Sequence, residues 1–445
     1  MNAHIHPFGT VRGRHAGMTL IELLVAMIIG VVVSLAIFAV LSASEGRKRT
    51  TTSVNDINQS GNYSMYVVEK LLRSAGSGYS SGVTISGFPT AYPFGCAVYS
   101  KNAAGQVLPV PSTLPAPFAA LDSGTGTKGL FRLAPVLIIP GGTTPSISGG
   151  QSDVLVIMAG ASGGAQVATN FSNFPTASSL LLGNVIDFAA NDVVMIADAQ
   201  GKSTGVRQDC MIQQVASGTP SGTTLNLGGD YYGGTIGTAT ITNYSDQSGV
   251  FNLGNVKNGN PPTFALLGVG DNNTLYSYDL IRTTTDPLVP VADGVFEMHA
   301  RYGIDTSGDG TIDQWVAPDV TTGDYTIANL MAGNEKASDS IRRIKAVRVG
   351  LILRTSLPER TDAAAGVFVA ENQVQMFKDL ATYSASSASS ASSAASSGAS
   401  SSSSSAGTCA ASKTGDLIFT RCLTDAERAY RYRVIEATIP LRNML

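Results

Sequence analysis

The chain has 445 residues, enough for two or three domains or for one domain carrying insertions. Only 14% of the residues are charged, against about 25% in an ordinary globular chain, and 48 are glycine, which points to a neutral polar surface with many turns. The net charge is −3, there is no basic run, and basic and aromatic residues do not interleave, so nothing favours a direct nucleic-acid contact.

A short basic lead comes first. Arg12, Arg14 and His15 precede Gly17, and no acid occurs before it. Residues 23–41 are almost wholly apolar, close to the roughly 20 residues that span a bilayer. Glu22 stands at the head of this run. An ionisable group at membrane depth costs of the order of a few kcal/mol and marks a functional position by default. In a secretory signal peptide the small-residue cut follows the apolar region. Here Ala16-Gly17 precedes it. The basic flank predicts a cytoplasmic N-terminal side and an exported body. Beyond the apolar run, Val54, Ile57, Met65, Val68, Leu71, Leu72 and Ala75 recur at near-helical spacing, and Gly76 and Gly78 supply a stop. The pattern predicts a long helix with an apolar half and an amphipathic half, softened at Gly61, whose stripe lies on a sheet. No proline lies between Gly17 and Pro89, so any melting in the apolar half would need another cause.

Residues 77–150 read as loops and short strands, with one apolar piece at 134–139. Strands are predicted at 153–158, at 192–197 and 208–215 around a turn at Gln200-Gly201-Lys202, and at 223–227, 235–244 and 274–281. Phe296, Met298, Ala300, Tyr302 and Ile304 alternate with Glu297, His299 and Arg301. Strict period two predicts one packed face and one wet face, with His299 in solvent. Residues 344–353 put Val347, Val349, Leu351 and Leu353 on one face, and 433–439 form a last strand. Residues 384–406 are Ser and Ala with one Gly. Such a stretch cannot bury enough to offset its ordering, and it reads as a flexible surface loop within the domain.

Three groups of residues could carry chemistry. Cys96, Cys210, Cys409 and Cys422 show no zinc spacing. In an exported body they suggest two disulfides, Cys409–Cys422 closing a short loop and Cys96–Cys210 remaining; buried free thiols are the alternative. Asp305, Ser307, Asp309 and Asp313 place oxygens at positions one, three, five and nine of a calcium-type loop. Gly310 stands at the sharp turn, and Thr311 would offer its carbonyl. Val316 replaces the bidentate Glu at position twelve, so Ca²⁺ would sit in an EF-hand-like loop, and the same residues also suit a polar hairpin turn. Gly160-Ala161-Ser162-Gly163-Gly164 matches a nucleophile elbow, but a poor helix follows it and His299 is the one histidine beyond residue 15. No phosphate loop, dinucleotide fingerprint or His-Glu metal motif appears, and no enzyme activity is expected.

Gly17-Met18-Thr19-Leu20-Ile21-Glu22-Leu23-Leu24-Val25-Ala26 resembles the class III signal of type IV prepilins and type II secretion pseudopilins. The resemblance implies cleavage after Gly17 by the prepilin peptidase and N-methylation of Met18, where most members have Phe. Cutting creates an ammonium in an apolar setting. Glu22 of one subunit could neutralise the Met18 amine of its neighbour, since two buried charges are tolerable paired and expensive apart. A lone Glu snorkelling to the headgroups is the alternative. Glu69-Lys70-Leu71-Leu72-Arg73-Ser74-Ala75-Gly76, Arg301-Tyr302-Gly303-Ile304-Asp305, residues 347–354 and Thr438-Ile439-Pro440-Leu441-Arg442-Asn443 look like PilW-type minor pilins, while residues 77–295 carry no resemblance.

The implied fold class is α+β: a pilin-like long N-terminal helix on an antiparallel sheet, with a large β-rich inserted region. The implied division is a leader at 1–17, the membrane and filament helix at 18–76, a β-rich body at 77–383, the Ser/Ala loop at 384–406 and closing strands at 407–445. The implied role is a minor pilin that initiates pilus assembly, with adhesion, twitching motility or DNA uptake downstream. Its partners would be the prepilin peptidase, other minor and major pilins, the inner-membrane assembly platform and, through residues 18–41, the membrane. It would be a single-pass inner-membrane protein, N-terminus cytoplasmic and body periplasmic, before moving to the pilus and the cell surface. A type II secretion pseudopilin and a pilus-tip adhesin are the competing readings.

Overall fold

A computed structural model describes residues 17–83, 91–122, 129–141, 152–161, 167–199, 207–284, 286–318, 320, 322–359, 361, 366–381 and 409–444. The leader, the turn at 200–206, Ser162–Gly164 of the elbow-like motif and the Ser/Ala stretch lie outside the described residues. The chain divides into two units, residues 1–54 and 55–445.

Helix α1 runs without a break from Leu20 to Ser74. In the first unit its apolar side chains, from Leu20 to Leu41, are exposed. The serines within this run need no outside partner: Ser34 Oγ donates to the Gly30 carbonyl at 2.8 Å and Ser42 Oγ to that of Ala39 at 3.1 Å. A helix satisfied this way suits an apolar medium, where an unpaired polar group costs several kcal/mol.

In the second unit Ile57, Gly61, Met65, Val68 and Leu72 form the buried stripe, three or four residues apart. Gly61 does not soften the helix; it lets the helix approach the sheet. A Cβ there would run into the side chains of Leu353 and Ile435. The helix ends where Gly76 turns to φ +78°, and Gly76 N–H is taken by the Met158 carbonyl at 2.9 Å.

The sheet beneath this stripe has the order Gln314–Val316, Val295–Ile304, Ile344–Arg354, Tyr432–Pro440, all antiparallel. Its register pairs Met298 with Leu351, Ala300 with Val349 and Tyr302 with Val347, then Val349 with Ala437 and Leu351 with Ile435. These residues join the helix stripe in one core. A five-stranded antiparallel sheet adjoins it, in the order Leu288–Ala292, Thr274–Asp279, Thr263–Gly270, Val154–Ala159, Val136–Ile139. The two sheets are tied at Tyr302, whose hydroxyl accepts the Ile138 N–H at 2.6 Å.

The inserted region has its own six-stranded sheet: Gly105–Leu108, Val98–Asn102, Cys210–Gln214, Asp192–Ala197, Gly249–Asn255, Thr169–Asn170. It departs from the antiparallel expectation at one place, where Val98–Asn102 and Cys210–Gln214 run parallel. The Cys96–Cys210 disulfide, Cα atoms 5.5 Å apart, closes that junction. A separate apolar cluster built on Leu180, Ile196, Leu225 and Tyr244 fills the other side. The predicted strand at 235–244 is instead a tight hairpin, Thr235–Ile236 against Ala239–Thr240, followed by a 3₁₀ turn at Ile241–Asn243. Gly237, at φ +56°, makes the reversal that a straight strand could not.

The alternation at 295–304 was expected to leave one face wet. All ten residues are buried. The hairpin Gln373–Met376 and Phe419–Cys422 covers the polar face, together with Phe377 and Leu380. The second disulfide, Cys409–Cys422 with Cα atoms 5.7 Å apart, pins this cover.

Candidate functional site

Thr19 is the residue that opens α1. Its Oγ1 accepts the Glu22 N–H at 3.3 Å, satisfying one of the donors a helix start leaves unpaired. Thr19-Leu20-Ile21-Glu22 therefore has the spacing of a capping box, a Thr followed three residues on by a Glu. Glu22 also lies in the first turn, where the helix dipole favours an anion. Two features thus place a carboxylate at the head of an apolar helix, and the Thr-x-x-Glu spacing was the signal for the first. Met18, Gly17 and Glu22 are all exposed, and α1 is long and apolar enough to cross a membrane.

The second site is the covered face of the 295–304 strand. Glu297, His299 and Arg301 are 3%, 4% and 3% exposed. Glu297 Oε1 pairs with Arg421 Nε at 2.8 Å, and Arg421 Nη2 pairs with Glu427 at 3.0 Å. Glu427 accepts from Thr424 N–H and Oγ1 at 2.8 and 2.9 Å. His299 lies 3.4 Å from Glu297 through Nε2 and 3.5 Å from Asp153 through Nδ1. Asp153 accepts the Ala300 N–H at 2.9 Å. Arg301 donates to the carbonyls of Leu417, Ala300 and Asp416. Burial alone would push the His299 pKa down, but Asp153 and Glu297 override it and hold it up to about 9. The imidazolium is therefore a structural cation, shared between two carboxylates.

The loop at 305–313 is closed by its own backbone. Asp313 Oδ2 accepts from Thr306 N–H, Thr306 Oγ1 and Ser307 N–H at 2.8 to 2.9 Å. Asp309 Oδ1 accepts from Thr311 N–H and Oγ1. Asp305 accepts from Gly310 N–H at 2.9 Å, from Gly308 N–H and from Ser307 Oγ. Burial pushes the Asp305 carboxyl up, but the Gly310 and Gly308 donors outweigh it and hold it below the ordinary carboxylate range. Thr311 does the same for Asp309, and Ser307 and Thr306 for Asp313. Among the described residues, no group of three or more His, Cys, Asp or Glu side chains could hold a metal ion. Asp305, Ser307, Asp309, Thr311 and Asp313 are held by hydrogen bonds within the loop. They form a hairpin loop, with Gly308 and Gly310 at positive φ.

Two family models match the sequence. That of PilW, the type IV pilus-assembly protein W, matches residues 265–443, and the prokaryotic N-terminal methylation motif matches residues 12–38. These matches support a PilW-type pilin with a class III signal. No curated protein and no solved structure matches it. The PilW match takes in Arg301-Tyr302-Gly303-Ile304-Asp305 and Thr438-Ile439-Pro440-Leu441-Arg442-Asn443. It begins at 265, so the resemblance reaches further upstream than residue 295, into the Thr263–Gly270 strand. The four-stranded sheet and its cover belong to the matched region. Asp153 and the six-stranded sheet do not. The matches point to a structural pilus component rather than an enzyme.

Proposed function

We propose that this chain is a minor type IV pilin that enters the pilus, or its priming or tip complex, through residues 18–41 and initiates assembly. The observation that carries the reading is the head of α1: an exposed apolar helix, capped by Thr19 and bearing Glu22 in its first turn. Prepilin peptidase would cut between Gly17 and Met18, and Met18 would be N-methylated. Glu22 of one subunit then neutralises the new Met18 amine of the next. The pair acts as a register device, because a charge left alone in an apolar bundle is expensive. Before assembly the protein spans the inner membrane with its N-terminus cytoplasmic. Two disulfides in the body suit the periplasm, where thiols oxidise.

Mass spectrometry of the membrane-bound chain tests this directly. An N-methylated Met18 terminus is expected. An intact residue 1, or a cut after the apolar run, would overturn it. Deletion of the gene should reduce or abolish pili; normal pili with lost secretion would instead indicate a pseudopilin.

A further inference from the structure

A cleft of about 570 Å³ opens beside the buried charge cluster. Its lining includes Asp153, His299, Arg301, Thr326, Ile327 and Phe419, drawn from four separate stretches of the chain. Small-molecule sites span about 300–1,000 Å³, mostly apolar with a few convergent polar groups. Asp153, His299 and Arg301 are each more than nine-tenths buried, yet reach this space.

The chemistry of the lining selects a ligand. A carboxylate has about four lone-pair sites. Among the described residues, Asp153 accepts from Ala300 N–H and lies 3.5 Å from His299 Nδ1, so lone pairs remain to accept from a donor entering the cleft. A ligand that engages Asp153 brings a donor. An amine is disfavoured, because the cationic His299 and Arg301 both line the same space and like charges repel. A hydroxyl is left. Thr326 Oγ1 accepts from Asn329 N–H at 3.2 Å, which leaves its own O–H to donate. Phe419 and Ile327 offer apolar surface for a ring's C–H face.

We propose that this cleft binds a hydroxylated, non-cationic ligand of the carbohydrate class, with Asp153 accepting from its hydroxyls and Phe419 and Ile327 covering its apolar face. The proposal is independent of pilus entry, since no lining residue lies in α1 and binding is measured on the isolated chain.

The experiment uses the purified full chain in a detergent without a sugar headgroup, screened on an array of neutral and acidic oligosaccharides. The strongest hit is then titrated by calorimetry, with spermidine as the cationic control. Saturable sugar binding is expected, at least about tenfold tighter than spermidine. Ala328→Phe, at an exposed position on the rim of the cleft, should weaken sugar binding about tenfold or more while leaving the melting temperature in place. Asp153→Asn should weaken it as well. The proposal is overturned if no oligosaccharide binds saturably, if spermidine binds more tightly, or if Ala328→Phe binds as the parent does.

Discussion

Phe419 lies flat against His299, the ring centroids 3.6 Å apart and the planes 25° from parallel. The two residues are 120 positions apart, and this contact covers His299 on the polar face of the 295–304 strand. It fixes a cation with Asp153 on one side and Glu297 on the other. A folded-state pKa of about 9 against an ordinary 6.5 means that folding binds the proton more tightly than the unfolded chain does. The stabilisation is complete below the unfolded value and is lost as pH rises through the folded one. Stability should therefore fall between about pH 6.5 and pH 9, by roughly 3 kcal/mol at most. Urea unfolding at stepped pH measures it. His299→Gln should flatten that slope, whereas an unchanged slope would place the proton elsewhere.

The rest of the cluster is tested by breaking one ion pair. Glu297 is shared by Arg421 and His299, so Glu297→Ala leaves two buried cations short of a partner. A loss of about 3–5 kcal/mol is expected from removing one member of a buried pair. In a double-mutant cycle with Arg421→Met, the two losses should be strongly non-additive.

Much of this architecture is legible in the sequence. The helix, its stop at Gly76 and the main strands follow from spacing; for the cysteines, the short local loop favours Cys409–Cys422, and Cys96–Cys210 is the pair that remains. The wet face at Glu297, His299 and Arg301 is the main failure. Period two shows which side chains share a face, and it cannot show that a hairpin from residues 373–422 returns to cover it. A hint lay in the neighbour: the 344–354 strand is long and apolar, which marks the 295–304 strand as central. The calcium pattern is degenerate for a different reason. Asp, Ser and Gly at alternate positions suit a cation and suit an Asx turn equally well, and only the direction of each carboxylate separates the two.

That direction has a consequence for calcium. With Asp305, Asp309 and Asp313 each turned onto their own loop N–H groups, the melting temperature should be the same in Ca²⁺ and in chelator. A rise with Ca²⁺ that Asp309→Ala abolishes would show that the carboxylates re-aim to hold the ion.

Gly61 faces Leu353 and Ile435 with no space for a side chain. Gly61→Ala would ordinarily stabilise a helix interior by about 0.5–1 kcal/mol. Here the added methyl must displace the sheet, and overpacking costs about 1–3 kcal/mol, so the net effect should be destabilising. Thermal unfolding of the variant gives the sign. A gain in stability would mean that the helix is not seated on the sheet at this point.

The cover hairpin is held by Cys409–Cys422, which are 13 residues apart. Replacing both by Ser should remove about 3 kcal/mol in the chain-entropy account. The single tryptophan, Trp315, packs in the same cluster as Phe377 and Met376, so its emission should shift to the red as the cover loosens. A cover held mainly by Arg421 and Phe419 would instead leave the emission unchanged.

At the head of α1, Thr19 and Glu22 make separable contributions. Thr19→Ala removes a helix cap, for about 1 kcal/mol, and leaves the carboxylate in place. Glu22→Gln keeps the size and the capping spacing and removes the charge. If Glu22 acted only within its own helix start, the two variants would be alike: both cut after Gly17, and both incorporated nearly as well as the parent. If Glu22 neutralises the amine of a neighbouring Met18, Glu22→Gln leaves a buried ammonium unpaired in every docking step. That variant should then be processed normally, accumulate in the membrane and fail to enter pili, while Thr19→Ala still enters. The ratio of chain in sheared pili to chain in membranes, measured for both variants, decides between these outcomes.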